Sequence, residues 1–115
     1  MAAYTVAAGT DWLDTMVFGS VNDRWRLDDY DIFLHLKKSG DAAVLLEATT
    51  DNGRLVVTDA AARRLDVNVG WALIEAHEPG PFEFDLLFHN RSTEVRTRSG
   101  PHSLTITRGI TFPEA

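Results

Sequence analysis

Four histidines, His35, His77, His89 and His102, are the side chains of this sequence best suited to proton transfer or metal binding. They fall on separate segments, with no His-x-His or His-x-x-x-His pair to set two imidazoles on one face of a strand or helix. They read as isolated surface residues. Asp28-Asp29-Tyr30-Asp31 supplies the hard oxygen ligands that a divalent cation takes. Neighbouring side chains of an extended segment point to opposite faces, however, so the cluster reads as a solvated turn. Asp51-Asn52-Gly53 lacks the rest of a calcium loop. Glu83 and Asp85 share one strand face, the placement that an acid–base pair needs, but any half-exposed strand of an acidic protein offers such a pair.

Other reactive side chains carry less. Ser20, Ser39, Ser92, Ser99 and Ser103 have no nucleophile-elbow context. Gly9, Gly53 and Gly100 lie at turns without phosphate-cradling spacing. Asn90-Arg91-Ser92 matches the glycosylation triplet and reads as a hairpin turn. Trp12, Trp25 and Trp71 have the types for a sugar-binding platform, although core or interface packing is the commoner use of such rings. No catalytic, cofactor-binding or metal-ligating residue is assigned, no cofactor is expected, and the chain reads as a non-enzyme.

The segment that organises the chain is Gly80 to Asn90. Phe82, Phe84, Leu86 and Phe88 recur at every second residue with Glu83, Asp85 and His89 between them, the pattern of a strand with one core face. Before it, Tyr4–Ala8 and Asp11–Phe18 read as short strands about Gly9. In the second, Trp12, Met16 and Phe18 share a parity that Asp14 breaks. Ile32, Leu34 and Leu36 alternate in a further strand, followed by a turn at Lys38–Asp41 and a strand from Ala43 to Thr49 that pairs back as a hairpin. Thr50-Asp51-Asn52-Gly53 is the strongest turn signal. Strands at Arg54–Thr58 and Leu65–Val69 flank a loop at Asp59–Ala62, and Trp71–His77 fits one or two helical turns. After the central strand, Glu94–Arg98 returns, Ser99-Gly100-Pro101 turns the chain, and Leu104–Thr107 closes it. About eight or nine short strands with frequent turns and one helical turn predict an all-β, immunoglobulin-like antiparallel β-sandwich. It spans residues 1–115 as one domain, with a short apolar tail at 110–115.

The composition agrees. The sequence has 115 residues, 44% hydrophobic and 24% charged, with no cysteine and a net charge of −6. Disulfide and thiolate chemistry are therefore excluded, and the acidic balance disfavours a nucleic-acid partner. Arginine accounts for nine of the eleven basic residues, which reads as codon bias. No apolar run approaches the ~18 residues of a membrane span, and the start lacks the pattern of a signal peptide, so no membrane partner is expected.

The order of the pieces carries a resemblance. Gly9-Thr10-Asp11 precedes Leu27-Asp-Asp-Tyr30 running to Leu36. Ala43-Val-Leu-Leu-Glu-Ala-Thr-Thr-Asp-Asn-Gly53, Leu55-Val-Val-Thr-Asp59 and a strand leading to a helical turn follow. Gly80-Pro-Phe-Glu-Phe-Asp-Leu86, a charged hairpin and Leu104-Thr-Ile-Thr-Arg-Gly-Ile-Thr111 finish the series. This resembles the small immunoglobulin-like modules of tailed bacteriophages, similar to the N-terminal domain of upper-baseplate proteins, over Gly9 to Thr111. The family pattern has Leu-Thr-Gly-Tyr where this chain has Leu-Asp-Asp-Tyr.

The resemblance implies a rigid virion component of the tail, baseplate, neck or head–tail region, assembled in the host cytoplasm. It also implies docking to other virion proteins and to copies of the chain itself, as a homo-oligomer, with no catalytic residues. The end at Ala115, without the long extension of larger relatives, favours a free-standing component over a receptor-binding adaptor. Ile110, Phe112 and Pro113 are the expected docking residues, apolar side chains at a chain end, with capping of the domain's own core as the competing use. The alternative reading is a small binding module, either a carbohydrate-binding sandwich or a capsid decoration protein. A metal-dependent enzyme at Asp28–Asp31 stands far behind.

Overall fold

Alternating apolar residues in short runs need two packed layers to bury one face of each, and two sheets are what the chain forms. The computed structural model describes residues 3–19 and 24–109. Within them the strands run β1 (Ala3–Ala7), β2 (Trp12–Val17), β3 (Tyr30–Lys38), β4 (Val44–Thr49), β5 (Leu55–Asp59), β6 (Arg64–Val69), β7 (Gly80–Asn90) and β8 (Arg96–Thr107). A 3-10 turn, Leu27–Asp29, leads into β3, and one helical turn, α1 (Trp71–Glu75), links β6 to β7. The five-stranded sheet has the order β1-β8-β7-β3-β4 and the three-stranded sheet the order β2-β6-β5. This is a β-sandwich with immunoglobulin-like strand order. All pairings are antiparallel except that of β1, which runs parallel to β8. No helix among the described residues is long and apolar enough to cross a membrane.

The central strand behaves as its alternation requires. Phe82, Phe84, Leu86 and Phe88 are all buried, and β3 sets Leu36, Leu34 and Ile32 beside Phe84, Leu86 and Phe88. From the opposing sheet, Trp12, Met16, Leu55, Leu65, Val67 and Val69 fill the same layer. Aromatic contacts close the space around β7. Trp12 meets Phe84 edge-on at 5.4 Å, and Tyr4 lies 5.8 Å from the same ring. Phe18 meets Phe88 at 5.0 Å, with Trp25 at 6.4 Å. Such tilted and edge-to-face pairs add about 0.5–1.5 kcal/mol each beyond the area they bury.

Asp14, the residue out of pattern in β2, is half-buried on the inward face because the indole Nε1 of Trp12 donates to its Oδ2 at 2.7 Å. A buried indole N–H needs an acceptor, and the carboxylate two residues on supplies it.

One expectation changes. Ser99-Gly100-Pro101 does not turn the chain: β8 runs straight through it, paired to β7 on both sides. Phe84 faces His102 and Leu86 faces Ser99, so Gly100 and Pro101 together oppose the single residue Asp85. This is a two-against-one bulge, a place where proline's missing N–H breaks no ladder. Gly100 adopts φ +128, and a Cβ there would stand 3.1 Å from the Asp85 Cβ. The turn expected at Thr50–Gly53 forms, with Gly53 at φ +79, and it carries the chain from one sheet to the other. Asn52 builds it: its Oδ1 accepts the Thr49 and Arg54 amides while its own amide donates to the Thr49 hydroxyl.

Phe84→Ala is expected to destabilise the domain by about 3–5 kcal/mol, the usual cost of truncating a buried phenylalanine. Glu83→Ala, which removes an exposed ion pair, is expected to cost no more than about 1 kcal/mol. Urea denaturation of the two variants checks the difference; equal losses would place Phe84 outside the core.

Candidate functional site

Strand alternation sends Phe33, His35 and Lys37 of β3, and Glu83, Asp85, Leu87 and His89 of β7, to the outer face of the large sheet. Registry then selects their partners. Lys37 Nζ lies 3.3 Å from Glu83 Oε1 on β7, and His35 Nε2 lies 2.6 Å from Glu47 Oε2 on β4. Arg98 of β8 donates to Asp85 Oδ2 at 3.0 Å, and Arg96 Nε donates to His89 Nδ1 at 3.1 Å. Glu83 and Asp85 do share a face, as their spacing predicts. Their cations come from opposite sides of β7, Lys37 on β3 and Arg98 on β8, so each carboxylate is engaged by its own partner. Shallow depressions of about 310 and 340 Å³ lie on this face, both lined in part by His35 and Asp85.

The acidic run at Asp28–Asp31 is divided among arginines. Arg26 pairs with Asp28 at 3.1 Å and holds its carboxyl below the usual aspartate range through that hydrogen bond. Arg91 pairs with Asp31 at 3.0 Å and also donates to the Asp28 carbonyl. The segment docks the β7–β8 connection onto the start of β3. Among the described residues no group of three or more His, Cys, Asp or Glu side chains could hold a metal ion.

The tryptophans do not form a platform. Trp12 is in the core, and Trp25 is half-buried against Tyr30 and Phe88 with the Arg63 guanidinium 5.5 Å over its ring. Trp71 is exposed, on α1, where its amide donates to Asp11 Oδ1 at 2.7 Å.

One polar pair escapes sequence reasoning. The bulge brings the Ser99 hydroxyl within 3.1 Å of His102 Nε2. The imidazole lies 5.3 Å from the Phe84 ring and 6.4 Å from that of Tyr4. Three-residue spacing in an extended segment would place the two side chains on opposite faces; only the bulge reverses this. Burial pushes the His102 pKa down, and burial, then the nearby Asp14 carboxylate, pushes Tyr4 up.

Exposed apolar side chains mark a different kind of surface. Leu13 and Val17 of β2 and Val56 of β5 stand on the outer face of the small sheet, where a depression of about 520 Å³ is lined by Leu13, Thr15, Val56, Thr58, Asp66 and Asn68. Asp66 is held there by the Thr15 hydroxyl at 2.9 Å. Val44 and Leu45 are exposed on β4, an edge of the large sheet. That edge is guarded at its far half, because Arg54 and Asn52 donate to the Glu47 carbonyl at 2.8 and 3.2 Å and Asn52 accepts the Thr49 amide. Its open part is the apolar one. The docking residues expected from sequence, Ile110, Phe112 and Pro113, lie outside the described residues.

Comparison with known proteins matches the chain to no family model and to no curated protein.

His102 favours the folded state while neutral, so its contribution is complete above the unfolded value near 6.5 and is lost as pH falls through that value towards the lower folded one. The melting temperature is expected to fall between pH 7 and pH 5, and to fall less in His102→Gln. Parallel pH profiles of the two proteins check this; identical slopes would remove His102 as a contributor.

Proposed function

We propose that the protein is a non-enzymatic structural component of a tailed-bacteriophage virion, of the tail, baseplate or head–tail region. In this reading it works by docking to other virion proteins and to copies of itself. The observation that carries it is the distribution of exposed apolar side chains. Leu13, Val17 and Val56 share the outer face of the small sheet, and Val44 and Leu45 stand on an open sheet edge. Apolar side chains on a face, interleaved with Asp66 and Asn68 of its central strand, and on an open edge are the surface chemistry of an interaction module.

The charged face of the large sheet supports the same reading. Glu83, Asp85 and Glu47 are each paired across strands, with Lys37, Arg98 and His35, as the side chains of a structural surface are. The link to bacteriophages rests on the resemblance in strand order and sequence pieces from Gly9 to Thr111, and the immunoglobulin-like sandwich is the fold which that resemblance implies.

Mass spectrometry of density-banded particles from the source culture tests the proposal, with immunogold labelling to locate the protein. The expected result is the intact chain in several copies per particle at one site. Particles that band and infect without the chain, while it stays in the soluble fraction, would overturn it.

A further inference from the structure

β1 is a short edge strand with little of its surface buried. It pairs with β8 alone, in parallel register from Ala3 opposite Ser103 to Ala7 opposite Thr107. Val6 is its one buried residue, and Tyr4 packs half-buried against Phe84 and His102. The contacts that join the two sheets, Trp12 with Phe84 and Phe18 with Phe88, do not include it. Lifting β1 away removes Tyr4 from the Phe84 ring, leaves seven strands and both of these inter-sheet pairs in place, and opens one groove: the β8 edge from Ser103 to Thr107. That groove has contacts made for one sequence. It accepts the Tyr4 ring between Phe84 and His102 and Val6 beside the core, and Thr107 takes the Ala8 amide at 2.8 Å.

The connection to β2 is short. Ala8 to Asp11 must carry the chain from an edge of the large sheet to an edge of the small one. It does so in a turn with Gly9 at φ +83, closed by the Thr10 hydroxyl and amide on the Ala7 carbonyl. Opening that turn is a local event. Short hinge connections of this kind favour exchange of the strand they tether.

We propose that β1 is an exchangeable strand and that a second copy of this chain receives it. Ala3–Ala7 of each copy occupies the β8 edge of the other, in the register it keeps in the closed form. Every β1–β8 contact is conserved in the exchanged dimer, so the balance between forms depends on the hinge, on the contact between the two cores and on protein concentration. Four hinge residues span at most about 14 Å, which brings the two cores side by side. The exchange is a property of the sandwich and does not depend on the virion reading.

The test uses the absence of native cysteine. Thr5 and Thr105 are exposed register partners across β1 and β8. Chains carrying only Thr5→Cys and chains carrying only Thr105→Cys, the latter with a mass tag, are mixed in denaturant, refolded together at high concentration and oxidised slowly. The expected product is the mixed covalent dimer, in about tenfold excess or more over either homodimer. Mixed and homotypic dimers in statistical proportion, or no covalent dimer, would overturn the exchange. The chain with both substitutions, refolded dilute, is expected to close on itself as a monomer with nearly unchanged melting temperature; failure to close would show the register to be wrong and overturn the proposal equally. Sedimentation of the unsubstituted chain gives an independent reading. A dimer whose share grows with the refolding concentration is expected, and monomer at every concentration contradicts it.

Discussion

The edge-to-face contact of Trp12 with Phe84 is the constraint on which the sandwich depends. It joins β2 of the small sheet to β7 of the large one, the two strands that correspond to those bridged by a disulfide in antibody domains. This chain has no cysteine, and an aromatic pair fills the place. The substitution has consequences for its neighbours. A buried indole demands an acceptor, which fixes Asp14 on a face that should be apolar. Phe84 also receives Tyr4 from β1 and His102 from β8, so four strands meet at one ring.

A second aromatic group, around Phe88, holds the sandwich further along β7. Phe18, Trp25 and Tyr30 all approach Phe88 edge-on, and the buried Arg63 lies over Trp25. A buried guanidinium is stable only with its donors engaged. Arg63 donates through Nε to the Phe18 carbonyl at 2.7 Å and through a terminal nitrogen to the Ala61 carbonyl at 3.0 Å. The loop before β6 is thereby tied to the end of β2. The interior is thus specified by two aromatic clusters along one strand, and the surface is left to charge pairs and apolar patches.

The sequence made the one-dimensional part of this legible. The parity of Phe82, Phe84, Leu86 and Phe88 named the core face, and the loss of period two at Trp71 marked the helical turn. What it did not carry were relations between distant residues. β1 and β8 are joined across nearly the whole chain and run parallel, which no local pattern encodes. Asn-Gly at 52–53 signals a turn equally well whether the next strand returns to the same sheet or crosses to the other. Ser99-Gly100-Pro101 has the composition of a turn, and only the registry of β7 on both sides makes it a bulge. Glu83 and Asp85 were visible as a pair on one face, while the separate cations that pair with them belong to other strands. The acidic run at Asp28–Asp31 looked like one site for the same reason: its arginine partners include Arg91, some sixty residues away.

The sandwich acts as one block only if its two sheets are tied together, and the Trp12–Phe84 contact is that tie. A double-mutant cycle measures it directly, with Trp12→Leu, Phe84→Leu and the double variant compared by urea denaturation. The loss of the indole hydrogen bond to Asp14 occurs with and without Phe84 and cancels from the coupling. A coupling energy of about 0.5–1.5 kcal/mol is predicted, the range for a specific aromatic pair beyond its buried area. Losses that simply add would contradict the account, because the two rings would then be independent parts of the core and not a tie between the sheets.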